Sequence, residues 1–195
     1  MIDYITGKLV ELTPTYAVVE TCGVGYSIHI ALPTYSIIQG SENIKLYVYE
    51  LIREDSHQLY GFLNVIDRQL FLMLISVSGI GANTARMIMS SYSASEIQDM
   101  IASSNELALN AIKGIGIKTA QRIIVELKDK IIKLGLKDTQ QSSPTVQSSS
   151  RDEAISALVM LGFPQLISAK TVEKILKDEP ALQVEHLIRQ ALKML

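Results

Sequence analysis

One octapeptide of this chain, Ser78-Gly79-Ile80-Gly81-Ala82-Asn83-Thr84-Ala85, recurs 35 residues later as Lys113-Gly114-Ile115-Gly116-Ile117-Lys118-Thr119-Ala120. Paired glycines let a backbone turn sharply and approach a phosphate with no Cβ in the way. A helix opening just after them presents unbonded N–H groups and the positive end of its dipole. Lys118 and Arg122, one turn apart, add charge beside the second copy. A single copy would read as well as a tight turn between helices, but two matching copies favour a pair of helix-hairpin-helix modules. Nucleotide motifs fit worse. A Walker loop needs four residues between its first glycine and its Gly-Lys pair, and a dinucleotide fingerprint needs a third glycine where Thr84 and Thr119 stand. An ATP-driven function would therefore require a separate motor.

The other candidate chemistry is acidic. Glu54 and Asp55 sit at the tip of a hairpin bounded by Arg53 and Ser56. Adjacent acids on an exposed turn are usually just solvated, and a metal nuclease needs more carboxylates than one turn supplies. His29, His57 and His186 are scattered, with none of the spacings that make a zinc site. His29 alternates with Ile28 and Ile30 and reads as a strand-face residue, whereas Cys22, before Gly23, reads as a small packing residue. No nucleophile motif occurs, so no catalytic residue, metal or cofactor is expected.

The elements that must carry these residues follow from hydrophobic periodicity. Short Val-, Ile- and Tyr-rich runs near 2–10, 16–20, 26–31, 44–53 and 57–62 predict five strands, with turns at Thr13-Pro14-Thr15 and Gly23-Val24-Gly25 and a short helix over 33–39. Three strands, a helix and two strands is the order of an OB-fold. Leu70, Phe71, Leu74 and Ile75 then recur at helical spacing, and further helices are predicted over 83–90, 94–102, 106–112 and 118–134, with Ser93 and Glu96 as a capping box. Residues 136–150 hold five serines, three glutamines and a proline and read as a flexible linker. Residues 151–195 are periodic again and predict three short helices, close to the lower size limit for independent folding. The expected organisation is thus an α+β multidomain chain: an OB-fold barrel over 1–63, a tandem helix-hairpin-helix domain over 64–135, the linker, and a three-helix domain over 151–195.

Composition agrees with a folded chain. Of its 195 residues 48% are hydrophobic and 19% charged, and the lone cysteine rules out an internal disulfide. No apolar run approaches membrane-spanning length and the N-terminus lacks the pattern of a signal peptide, so a cytoplasmic location is expected. Net charge is only −2, but it is unevenly spread: residues 1–63 carry three basic against seven acidic side chains, and residues 64–135 eight against six. A nucleic-acid binder needs cations and backbone donors on one face, not a basic whole.

Taken in order, the barrel, the Arg53-Glu54-Asp55 turn with Leu59-Tyr60-Gly61-Phe62 behind it, Gly23-Val24-Gly25-Tyr26, the tandem hairpins, the Ser/Gln stretch and the helical tail resemble the RuvA family over essentially the whole chain. The resemblance implies a homotetramer that binds four-way (Holliday) DNA junctions in recombination and in SOS-linked repair, holding them open and nearly planar. It implies RuvB, a ring-shaped ATPase, as partner for branch migration, and RuvC, a junction nuclease, as a further one. The DNA-binding candidates are Gly79, Gly81, Asn83 and Thr84 in the first hairpin and Lys113, Gly114, Gly116, Lys118, Thr119 and Arg122 in the second. Glu54 and Asp55 match the family's acidic pin, and Leu158, Leu161 and Phe163 its motor-binding surface. Asn83 and Ile117 depart from the pattern, each standing where lysine is expected, while Lys113 puts a cation where proline is common.

Two rival readings come from other classes. A helix-hairpin-helix glycosylase would place a catalytic aspartate some twenty residues after the hairpin, where Asp138 lies, but that position falls in a polar stretch with no pocket for a flipped base. A general single-strand binder needs aromatic platforms, and the chain has no Trp and three Phe.

Overall fold

The computed structural model describes residues 1–138, 146–180 and 182–195, and side chains outside 132–149, 178 and 181. It forms two compact units, residues 1–137 and 138–195.

The first unit opens with strands β1 (Tyr4–Leu12), β2 (Tyr16–Thr21) and β3 (Val24–His29), helix α1 (Leu32–Ile38), and strands β4 (Asn43–Ile52) and β5 (His57–Phe62). They close a barrel in the order β1-β2-β3-β5-β4, with β3 and β5 parallel and the other pairs antiparallel. Alternate residues point inward, as a period of two requires: Ala17 and Val19 from β2, Ile44, Leu46 and Val48 from β4, with Ile5, Ile28 and Leu59. Each of the Val, Leu and Ile side chains among them contributes roughly 1.5–3 kcal/mol on burial. Gly61 lets β5 close on β3, since a Cβ there would come within 2.6 Å of Ile28 Cγ2. The β2–β3 turn differs from expectation. It is Cys22-Gly23, both at positive φ, with Thr21 paired to Val24 as in a type I′ hairpin. Cys22 is consequently exposed at a turn and is not a packing residue.

Five helices follow: α2 (Val65–Ser76), α3 (Ala82–Ser91), α4 (Ala94–Ala102), α5 (Glu106–Asn110) and α6 (Ile117–Asp138). Ser93 and Glu96 form the expected capping box on α4, each side chain accepting from the other's amide, and the Ser93 hydroxyl and then its amide, both donating to the Glu96 carboxylate, hold that carboxyl below its usual range. Residues 1–63 and 64–135, expected as separate domains, lie in one compact unit, in which the barrel keeps its own core and lends three residues to that of the helices. Ala31, Tyr60 and Phe62 of the barrel pack with Leu70, Phe71, Leu74, Ile88, Ile97, Ile123 and Leu127 of the helices. Phe71 is the hub of that joint, its ring 4.9 to 5.5 Å from those of Phe62, Tyr60 and Tyr49.

The second unit contains α7 (Val146–Met160), α8 (Gln165–Asp178) and α9 (Val184–Met194) around Ala154, Leu158, Val172, Ile175, Leu187 and Ala191. Arg151 bridges to Glu173 and ties α7 to α8. Within the stretch read as a linker, α6 runs on to Asp138 and α7 already starts at Val146, while residues 139–145 lie outside the described residues.

Candidate nucleic-acid interface

The two glycine hairpins have matching backbones. In the first, α2 ends, the Ile80 amide donates to the Val77 carbonyl at 3.0 Å, and α3 begins with Ala85 donating to Gly81 at 2.9 Å. In the second, Ile115 donates to Ile112 at 3.0 Å and Ala120 to Gly116 at 2.9 Å. Ile80 and Ile115 are buried and anchor each turn from beneath. Gly79 and Gly114 have φ of +94° and +90°, a left-handed conformation that excludes most side chains. The amides of Ala82, Asn83 and Thr84, and of Ile117 and Lys118, precede the first helical bond of α3 and α6, so no carbonyl within those helices accepts from them.

Gly81 and Gly116 differ from their neighbours. Neither has a positive φ, and a Cβ built on either would meet no heavy atom within 4 Å. Neither conformation nor internal packing calls for glycine there. Glycine also serves as the helix N-cap at both places, and its bare Cα leaves the open side clear for close approach, the geometry a phosphate needs to reach the amides behind.

Around these turns, Lys113, Lys118 and Arg122 are exposed, and none forms an ion pair with a described residue. Thr84 and Thr119 are half-buried at equivalent places. Asn83 is exposed, and its Oδ1 lies 3.3 Å from the Tyr60 hydroxyl of the barrel. The first hairpin is fixed to the barrel twice more, by Arg86 donating to the Thr15 carbonyl at 2.9 Å and by the Leu32 amide donating to Ser90 Oγ at 3.2 Å. Sequence reasoning does not single out Arg86 or Ser90. Their only signal is that Asn83, Arg86 and Ser90 fall on one face of α3, a polar stripe beside an apolar one.

Glu54 and Asp55 stand exposed at the tip of the β4–β5 hairpin, whose four-residue turn is closed by Arg53 donating to the Ser56 carbonyl at 2.8 Å. Lower on the hairpin, Glu50 Oε1 lies 2.8 Å from His57 Nε2, while Tyr49 and Leu51 pack against the helical core. The carboxylates therefore project from a base that is held. Among the described residues there is no group of three or more His, Cys, Asp or Glu able to hold a metal ion, and no helix long and apolar enough to cross a membrane. Asp138 closes α6, and its side chain lies outside the described residues.

In the second unit one expectation is corrected. Leu158 is 0% exposed and belongs to the core of the three helices, so it cannot meet a partner directly. Phe163 is half-buried against that core, and Leu161 is 60% exposed. Sequence reasoning misses their neighbours Met160, Leu166 and Ile167, exposed by 88%, 68% and 50%. These residues fall off the buried stripe of α7 and α8, which is the signal that could have found them.

Three family models match successive stretches of the chain: RuvA N terminal domain over residues 1–61, SAM-like Helix-hairpin-helix tandem over 71–129, and RuvA, C-terminal domain over 149–195. Relatives named Holliday junction branch migration complex subunit RuvA are similar from end to end. That of Bacteroides thetaiotaomicron is 51% identical over 201 residues, that of Bacteroides fragilis 50% over 201 and that of Porphyromonas gingivalis 46% over 202, in each case covering all of both chains. With the barrel and the twin hairpins in the order these matches require, the chain belongs to the RuvA family.

Proposed function

We propose that this chain is the junction-binding, non-catalytic subunit of a branch-migration complex: it binds four-way DNA junctions by shape and hands them to a separate ATPase. The observation that carries this reading is the pair of open glycines, Gly81 and Gly116, each set before amides at a helix start that no helical carbonyl accepts from. Backbone amides recognise phosphates whatever the bases, so two such turns read the spacing of backbones rather than sequence. Gly79, Gly81, Thr84 and the backbone amide of Asn83 form the first contact and Lys113, Gly114, Gly116, Lys118, Thr119 and Arg122 the second, with Glu54 and Asp55 repelling phosphate where strands must part. Four copies arranged as a homotetramer would bring four pins and eight hairpins to one junction, in the cytoplasm.

The exposed apolar cluster of Met160, Leu161, Leu166 and Ile167, with Phe163 at its edge, suits the docking of RuvB, since a patch of this kind on so small a unit marks an interaction surface. RuvC is the further partner, acting on a junction held open. Neither the glycosylase nor the single-strand reading gains support from the relatives, whose names describe branch migration.

The test is competitive binding of the full chain to a four-way junction, a duplex of the same arm sequence, a single strand and a damaged duplex. Tightest binding to the junction, unchanged when the arm sequences are shuffled, is expected. Preference for the single strand, or base release from the damaged duplex, would overturn the reading.

A further inference from the structure

The Tyr60 side chain occupies the seam between the pin strand and the first hairpin. Its ring is 1% exposed and lies 5.3 Å from the rings of both His29 and Phe71. Only the hydroxyl reaches polar partners. It donates to Gln58 Oε1 at 3.0 Å and lies 3.3 Å from Asn83 Oδ1. Gln58 is two residues nearer the pin tip on β5, and Asn83 is the second residue of α3 beyond Gly81. One hydroxyl thus stands between the strand that carries the repelling carboxylates and the helix end that carries phosphate-binding amides. A phenol has a single proton for two acceptors. Turning the Asn83 amide over would let its NH2 donate into the phenol oxygen, which completes a chain from Asn83 through Tyr60 to Gln58. Burial pushes the phenol's pKa up, so the proton this chain needs stays in place.

We propose that Tyr60 is a positioning residue for junction recognition: its hydroxyl, bonded to Gln58 and Asn83, sets the first hairpin at a fixed offset from the acidic pin, and this offset selects four-way junctions over continuous duplex. The inference rests on the junction-binding reading above. Attraction at α3 and repulsion at Glu54 and Asp55 discriminate between DNA shapes only if the distance between them is held. With the joint slackened, a duplex can settle on the hairpin while avoiding the pin. Discrimination suffers more than affinity. This also gives Asn83 a task inside the protein at a place where a DNA-facing lysine was expected.

Tyr60→Phe keeps the ring and removes the hydroxyl. In the full chain it is expected to lower the ratio of junction to duplex affinity roughly three- to tenfold, the range of one hydrogen bond, while the thermal midpoint moves by no more than a few degrees. Asn83→Ala should lower the ratio similarly, and the double variant should be no worse than either single one, because both remove the same link. An unchanged ratio in Tyr60→Phe, or losses that add in the double variant, would overturn the proposal; additivity would mean that Asn83 meets DNA on its own account. Should Tyr60→Phe fail to fold, Gln58→Leu approaches the link from its other side and must reproduce the loss, and an unchanged ratio there overturns it equally. A wild-type ratio near one would instead defeat the junction-binding reading itself.

Discussion

The two hairpins share a backbone and differ in everything around it. Behind the first, Asn83, Arg86 and Ser90 turn inward to Tyr60, Thr15 and Leu32, so that α3 is fixed to the barrel along its length. The second has Lys113, Lys118 and Arg122 exposed and clear of ion pairs with described residues. The comparison separates two tasks that one motif can perform. Under the proposed function the shared turn and amides are the phosphate-binding part, and the differing side chains decide whether a copy serves mainly to fix position or to supply charge.

The shared part should matter most. Gly81→Ala and Gly116→Ala add one carbon each, in open space and without positive-φ strain, so the stability cost should stay below about 1 kcal/mol, that of a poorer N-cap. Charge-assisted bonds to a phosphate are worth roughly 1.5–3 kcal/mol, so each variant should weaken junction binding about ten- to a hundredfold in a titration. Gly79→Ala is a poorer probe because a φ of +94° would itself cost roughly 1–2 kcal/mol. If either Gly81→Ala or Gly116→Ala binds as the wild type does, that hairpin does not meet DNA through its backbone.

The differing part should show in salt dependence. Lys118→Ala with Arg122→Ala is expected to weaken binding roughly tenfold at low salt and to flatten the plot of log affinity against log salt by about 0.9 for each phosphate left without its cation. Asn83→Ala removes no charge and should leave the slope alone. Equal slopes for the two variants would erase the distinction between the hairpins.

The pin tests the same comparison from its repulsive side. Glu54→Gln with Asp55→Asn should tighten duplex binding several-fold, since each charge near a phosphate opposes it by about 1 kcal/mol in well-solvated surroundings. Junction binding should gain less. Measured at low salt, where screening is weakest, an unchanged duplex affinity would reduce the pin to a solvated turn.

Local features of the fold and of the interface are legible in the amino-acid sequence. Strand alternation in Ile44, Leu46 and Val48 foretells the barrel, and the octapeptide repeat foretells both hairpins because glycine spacing and helix starts are local properties. What escapes is long-range or depends on packing. The Cys22-Gly23 turn falls one residue ahead of the Gly-Val-Gly run, whose second glycine lies inside β3 instead. Leu158 suits a surface or a core equally well, since an apolar residue near a helix end can serve either face and only the packing of α8 and α9 decides. Tyr60 to Asn83 spans 23 residues and Arg86 to Thr15 spans 71, and no periodicity encodes which distant carbonyl an arginine will find.

The smallest effect concerns the joint that sets the first hairpin apart. His29 packs against Tyr60 with the rings tilted, and burial first, then the nearby Arg86 charge, lowers its pKa below the usual 6.5. A folded-state value below the unfolded one means that the unfolded chain binds more protons across the interval between them. The contribution of neutral His29 to stability is therefore fully present above about 6.5 and is lost as pH falls from there through the lowered folded-state value. Acid should loosen the barrel–α3 joint, which the second hairpin does not share. His29→Gln removes the titration. Thermal midpoints of the full chain should decline less steeply from pH 7 to pH 5 in this variant than in the wild type, and the difference belongs to His29 because the two chains are otherwise identical. Junction-to-duplex discrimination should follow the same course, falling with pH in the wild type and holding steadier in the variant. Parallel midpoint curves would show that His29 protonates without straining the joint, and the contrast between a fixed first hairpin and a charged second one would then rest on Tyr60, Arg86 and Ser90 alone.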